Sequence, residues 1–321
     1  MKKLLLILIV FTALYGCSKD DDKNTPPSEV PESELISPKL YATLASRTPL
    51  TGVLEVYPCY PNSSTYYGNY YKGVLTPINP HYTVSSGSAL TSANPVYLPI
   101  GDYNMIYWGT PKPDTVTYSR VAIRDPRITL GGDLAQQYFS LRKYESASDT
   151  TYYPTFDLVH AVNSVVIGSE ELSATLQRAT AALIVILNNK DNLKFNSIIY
   201  STEIIINSVA DRINFYTAAP SDQTRAVRFP LTMSADSMQM SNPAVMVFPT
   251  ASNPLLQIVI TLKNGAIKTY QQNLKETLDA NSRLILTLTL NEIFEEGTSS
   301  GGFQVDKWNE KKETIDLPPL P

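Results

Sequence analysis

From Leu40 onward, hydrophobic and polar positions alternate in short bursts. Segments rich in Val, Ile, Thr and Tyr are cut every few residues by Pro, Gly or Asn, a pattern of strands and turns with little helical spacing. Residues 50–56 alternate loosely, residues 95–108 read as a strand, a Gly101-Asp102 turn and a second strand, and 116–123 extends further. Over 178–187, Ala179, Ala181, Leu183, Val185 and Leu187 fall on one face and Ala182, Ile184 and Ile186 on the other. The β-branched centre and the stop at Asn188-Asn189 favour strand over helix there. Further strands are predicted at 197–207, 212–217, 244–249, 254–262, 266–273 and 283–290, with 169–176 a candidate short helix or turn.

Two of these segments carry extra information. Asn264-Gly265 between 255–262 and 266–272 predicts a hairpin, because both residue types tolerate positive φ. In 283–290, Leu284, Leu286, Leu288 and Leu290 share a face while Ile285, Thr287 and Thr289 point away, so one side is core and the other half-exposed. The stretch 130–152 has few regular repeats and is expected to separate two domains. The resulting prediction is all-β: two tandem antiparallel β-sandwich domains at 39–152 and 153–321.

The N-terminus follows a different logic. Met1-Lys2-Lys3, an apolar run to Phe11 and Thr12-Ala13-Leu14-Tyr15-Gly16-Cys17 make a basic, then hydrophobic, then small-residue sequence, too short to span a membrane. Residues 1–16 read as a signal peptide, and Leu14-Tyr15-Gly16-Cys17 resembles a bacterial lipobox, with Cys17 the lipidated residue. Each buried acyl CH₂ contributes about 0.8 kcal/mol, so several chains make a durable anchor in the outer membrane. Residues 17–38 hold Asp20-Asp21-Asp22 and prolines at 26, 27, 31 and 38, and read as a flexible tether. The acidic cluster fits equally a solvated linker and a signal for export to the cell surface.

Charge and cysteine content narrow the chemistry. Without Lys2 and Lys3 the chain carries 24 basic against 30 acidic residues, a net charge of −6, and no basic run exceeds two residues, so nucleic acid is not a predicted partner. Cys17 and Cys59 are the two cysteines; with Cys17 acylated, Cys59 lacks an intramolecular partner and reads as a buried hydrophobe. His81 and His160 stand without metal-ligand spacing, no Gly-x-Ser-x-Gly elbow occurs, and Glu170-Glu171 and Glu295-Glu296 would point to opposite faces of a strand. The reading is a protein that is not an enzyme, with no cofactor and no metal site.

Of 20 tyrosines, four lie in Tyr66-Tyr67-Gly68-Asn69-Tyr70-Tyr71. They are read either as a hairpin turning at Gly68-Asn69 or as an aromatic binding edge for a glycan or host ligand. At the C-terminus, Phe303 and Val305 share a parity, Trp308 breaks it, and Ile315 and Leu317 resume an alternation after the charged turn 309–313. That pattern predicts two short strands joined by a bend, and makes Phe303, Val305, Trp308, Ile315 and Leu317 the candidate partner-strand segment.

The lipobox with its acidic tail, residues 99–108 (Pro-Ile-Gly-Asp-Tyr-Asn-Met-Ile-Tyr-Trp), Asp157-Leu158-Val159-His160, 176–181 (Leu-Gln-Arg-Ala-Thr-Ala), Trp308 and Ile315-Asp316-Leu317 together resemble the fimbrillin superfamily, and within it the fimbrillin-associated anchor or accessory subunits. The resemblance implies two transthyretin-like domains, cell adhesion without catalysis, and fimbrial subunits as partners joined by strand addition. Some fimbrillins mature by cleavage after an arginine near the first domain, where Arg47 lies; an anchor that keeps its lipid is expected to escape that cut. The alternative reading is a surface glycan-binding lipoprotein.

Overall fold

A computed structural model of the chain describes residues 26–90, 92, 94–111, 123–145, 149–168, 171–190, 193–290 and 309–317. The fold is all-β, as the alternation implies, with 3-10 turns at Glu32–Glu34 and Leu134–Gln136.

Seven strands close into a barrel in the order Val159–Ile167, Leu172–Arg178, Leu40–Leu44, Ser88–Ala89, His81–Ser85, Gly52–Cys59 and Gly101–Pro111, the last returning to the first. All of Val159–Ile167 pairs antiparallel with 101–109, whereas 172–176 runs parallel to Leu40–Leu44. Leu54, Val56, Tyr103, Met105, Tyr107, Val159 and Leu176 fill the barrel.

The second unit is built on two long antiparallel strands, Ile199–Asn214 and Pro220–Met233, whose register shifts between Ile206 and Ala210. Opposite Pro220–Met233, the other edge of Ile199–Asn214 takes Leu255–Leu262 and then Ile267–Asn273 along residues 199–206, and Tyr138–Leu141 and then Ile123–Arg124 at residues 212–214. A facing layer sets Ala181–Asn189, Ser282–Leu290 and Asn309–Leu317 side by side and parallel, while Gln239–Ser241 and Val245–Val247 pair antiparallel with Ala181–Asn189, so this layer is mixed rather than wholly antiparallel. Parallel pairing is available because long connections, not hairpins, join these strands. Ser282–Leu290 alternates strictly between buried and half-buried residues, with its leucines inward as predicted.

Several expectations need correction. The division at 152/153 does not follow the sheets: Val159–Ile167 and Leu172–Arg178 belong to the barrel, while Ile123–Arg124 and Tyr138–Leu141 pair into the second unit. Hydrogen-bond partners, not chain order, assign a strand to a sheet. The supposed turn at Gly101-Asp102 begins the strand Gly101–Pro111, and from Leu172 the candidate helix or turn is instead the strand Leu172–Arg178. The predicted strands 197–207 and 212–217 are one. Pro220–Met233 was not predicted, because its exposed first half is polar and carries no core face; its long partner supplies the ladder. Part of the stretch 17–38 expected to be a tether is paired: Leu35–Ile36 with Leu98–Pro99, and Glu29 with Val74.

Gly101–Pro111 explains how the units join. Tyr103, Met105 and Tyr107 face the barrel interior, while Ile106 and Trp108 face the second unit's core. A strand buried on both faces reads as a continuous apolar run, which hides its period of two. The same division holds in Gly52–Cys59, where Leu54 and Val56 point in and Tyr57 and Cys59 point out.

Candidate functional site

Three regions gather the candidate residues: the junction between the units, the tyrosine hairpin and the terminal strand. At the junction Trp108 donates its indole N–H to the Phe215 carbonyl at 2.9 Å and meets Phe139 edge-on at 4.9 Å. Tyr57 meets Phe215 edge-on at 4.8 Å. His160, cross-strand from Trp108, lies 4.5 Å from its ring and has no partner for Nε2 among the described residues. Burial lowers its pKa to about 4, against a smaller opposing hydrogen bond to the Tyr216 backbone, so it is neutral at physiological pH. Nearby, Arg178 Nε meets Asp157 Oδ2 at 3.0 Å where the chain leaves the barrel for Ala181–Asn189; desolvation raises the Asp157 pKa and the arginine opposes that rise. The contacts of Trp108 and Tyr57 with Phe139 and Phe215 join the two units. Cys59 is buried beside them, its thiol pushed up to about 12 by burial, which makes it unreactive.

The four tyrosines do not form one exposed edge. Tyr66 and Tyr70 are fully buried, Tyr67 is half-buried edge-on between Tyr60 and Tyr103, and Tyr71 alone is exposed. The hairpin is real but its turn lies later than expected, at Lys72-Gly73, joining Asn69–Tyr71 to Val74–Thr76. Both turn residues have positive φ, the geometry a two-residue turn requires. Asn69, buried at the base, binds Asn94 and the Pro95 carbonyl through Nδ2 and accepts the Tyr97 N–H. Its polarity had suggested a turn; its side chain instead holds a loop 25–28 residues away.

Among the described residues, the last strand, Asn309–Leu317, lies at the edge of its sheet and pairs in register with Ser282–Leu290, Ile315 opposite Leu288 and Leu317 opposite Leu290. The residues 309–313 expected to form a charged turn are strand. Glu313, opposite Leu286, is buried, and its Oε2 accepts the backbone N–H of Lys275 at 2.9 Å and of Glu276 at 3.4 Å. Nothing in the alternation pointed to Glu313, because charged residues in a run read as solvated. Cys17, Phe303, Val305 and Trp308 lie outside the described residues. Among the described residues, no cluster of three or more His, Cys, Asp or Glu could hold a metal ion, and no helix is long and apolar enough to cross a membrane.

A barrel fused through an aromatic junction to a layered sheet that ends in an edge strand defines a class of all-β proteins with two structural units. A crystal structure from Bacteroides thetaiotaomicron assigned to polysaccharide binding has this fold: TM-score 0.51, 15% identity, covering 79% of this chain and 92% of its own. The fimbrial anchor protein Mfa2 from Porphyromonas gingivalis is also similar, with a TM-score of 0.44 and 13% identity over 75% of this chain and 83% of its own. No curated protein sequence matches. Residues 45–314 match the family model of Fimbrillin-A associated anchor proteins Mfa1 and Mfa2, and the chain belongs to that family. Membership makes it a cell-surface protein related to adhesion.

Proposed function

We propose that this protein is a non-catalytic anchor or accessory subunit of a fimbria, held on the outer membrane by acyl chains on Cys17 and joined to a neighbouring subunit through its terminal strand. The observation that carries this reading is the position of Asn309–Leu317: an edge strand with one paired neighbour among the described residues, whose removal would bare Ser282–Leu290. A bared edge offers a row of backbone donors and acceptors to an incoming strand. In the free chain the strand completes its own sheet; on assembly it, or the edge beneath it, pairs with another subunit. A glycan platform at residues 66–71 is disfavoured, since Tyr66 and Tyr70 present no free ring face.

Ending the chain after Gly302 tests the strand. A folded monomer that no longer joins fimbrial subunits supports exchange, whereas an unfolded chain, or one that still assembles, removes it. Replacing Cys17→Ser tests the anchor: the protein is expected in the soluble fraction, and its retention on membranes after a high-salt wash contradicts lipid attachment.

A further inference from the structure

The segment that leads from the tether into the barrel is strapped to the tyrosine hairpin. The Pro27 carbonyl accepts the Tyr70 hydroxyl at 2.7 Å, the Ser28 carbonyl accepts the Leu75 N–H at 2.9 Å, and Val30, itself buried, donates its N–H to the Gly73 carbonyl at 2.9 Å. Gly73 has φ +76, and a Cβ there would sit 2.7 Å from the Val30 carbonyl oxygen, so glycine serves both the turn and the strap. The chain therefore leaves the folded surface beside this hairpin.

Nine residues separate Cys17 from Pro27. The covalent chain limits their reach to about 35 Å. A lipid on Cys17 thus keeps the hairpin near the bilayer.

The surface at that point suits a bilayer interface. Tyr71 and Val74 are cross-strand partners at the hairpin end, each 46% exposed. Tyr97, whose carbonyl accepts the Tyr70 N–H at 3.1 Å, is 37% exposed. The Lys72 ammonium lies 5.6 Å from the centre of the Tyr71 ring. A tyrosine ring with its hydroxyl outward and a lysine with an apolar stem sit well at headgroup depth. Glu29, Glu32 and Glu34 of the strap are exposed and outnumber Lys72, which disfavours an anionic surface.

We propose that the Tyr71–Val74 hairpin end is the membrane-facing contact of this protein, resting at the interface of the bilayer that holds the acyl chains of Cys17. The inference rests on the lipid anchor at Cys17 and adds an orientation: the hairpin faces inward and the second unit points outward. Lys263 lies at the pole of the second unit away from the junction. Its N–H donates to the Ile198 carbonyl at the start of Ile199–Asn214, and Phe215, just beyond the other end of that strand, is at the junction. At about 3.3 Å per residue this separates the pole from the junction by roughly 50 Å.

The test uses the full lipidated chain in phosphatidylethanolamine and phosphatidylcholine vesicles. An environment-sensitive dye is placed on Lys72→Cys or Lys263→Cys and quenched by spin-labelled lipid. With Cys17 acylated and Cys59 buried, the introduced thiol takes the dye. Quenching at 72 is expected to exceed that at 263 several-fold, and to fall to the level of 263 when Tyr71→Ser and Val74→Ser are added while the protein still floats with the vesicles. Equal quenching at both sites in floating protein overturns the orientation and leaves the anchor standing. Quenching at 72 that survives the double substitution overturns the contact, leaving proximity imposed by the tether. Protein that does not float overturns the anchor, and the inference with it.

Discussion

Replacing Glu313→Ala is expected to loosen the terminal strand without unfolding the protein. The carboxylate accepts two backbone N–H groups from the loop after Ile267–Asn273, one at 2.9 Å and one at 3.4 Å. A hydrogen bond to a charged group contributes roughly 1.5–3 kcal/mol. Counting the short bond in full and the long one as minor, the loss is about 2 kcal/mol, including the cost of leaving the part-buried Lys275 N–H without its acceptor. Each 1.4 kcal/mol is a factor of ten, so local detachment of Asn309–Leu317 rises about 30-fold. Amide hydrogen exchange read by mass spectrometry gives this directly, as faster exchange in peptides from 309–317 and from the neighbouring Ser282–Leu290, with the barrel strands unchanged. Glu313→Gln keeps an acceptor oxygen and loses the charge, and is expected to give a smaller acceleration. Unaltered exchange over 309–317 in the alanine variant would refute the latch. Uniform acceleration over the whole chain would show instead that Glu313 supports global stability. If the proposed strand exchange is correct, Glu313→Ala also speeds assembly with a partner subunit.

Stability should fall with acid through His160. Its folded pKa, about 4, lies below the ordinary value of 6.5, so the unfolded chain binds the extra proton. The contribution is complete above about pH 6.5 and is lost as the pH falls toward 4, by roughly 3 kcal/mol in total. Denaturant unfolding of wild type and His160→Phe at several pH values checks this; parallel pH profiles would refute it. The thermal midpoint is expected to be the same with and without reductant, since Cys59 is buried and free among the described residues. A drop with reductant would reveal a disulfide.

The alternation of apolar and polar residues was enough to determine the fold class and several strands. Ser282–Leu290 has one wet and one dry face, and its leucines declare which is which. The hairpin from Leu255–Leu262 to Ile267–Asn273 was legible because a local turn specifies a local pairing, although of its loop residues Gly265 takes positive φ and Asn264 does not. Partner choice was not legible. No local feature of Leu172–Arg178 says that it runs parallel to Leu40–Leu44, or that Tyr138–Leu141 pairs with Ile199–Asn214, about 60 residues later in the chain. Ladder hydrogen bonds are backbone groups common to every residue, so which strands share them depends on how the whole core closes. The tyrosines make the same point for the candidate surface: sequence showed four adjacent aromatics, and tertiary packing buried Tyr66 and Tyr70, leaving Tyr71 exposed at the turn. The strap at Pro27–Val30 and the Glu313 carboxylate had no sequence signature at all. Each works through backbone groups distant in the chain, and only the folded arrangement brings those groups within hydrogen-bonding distance.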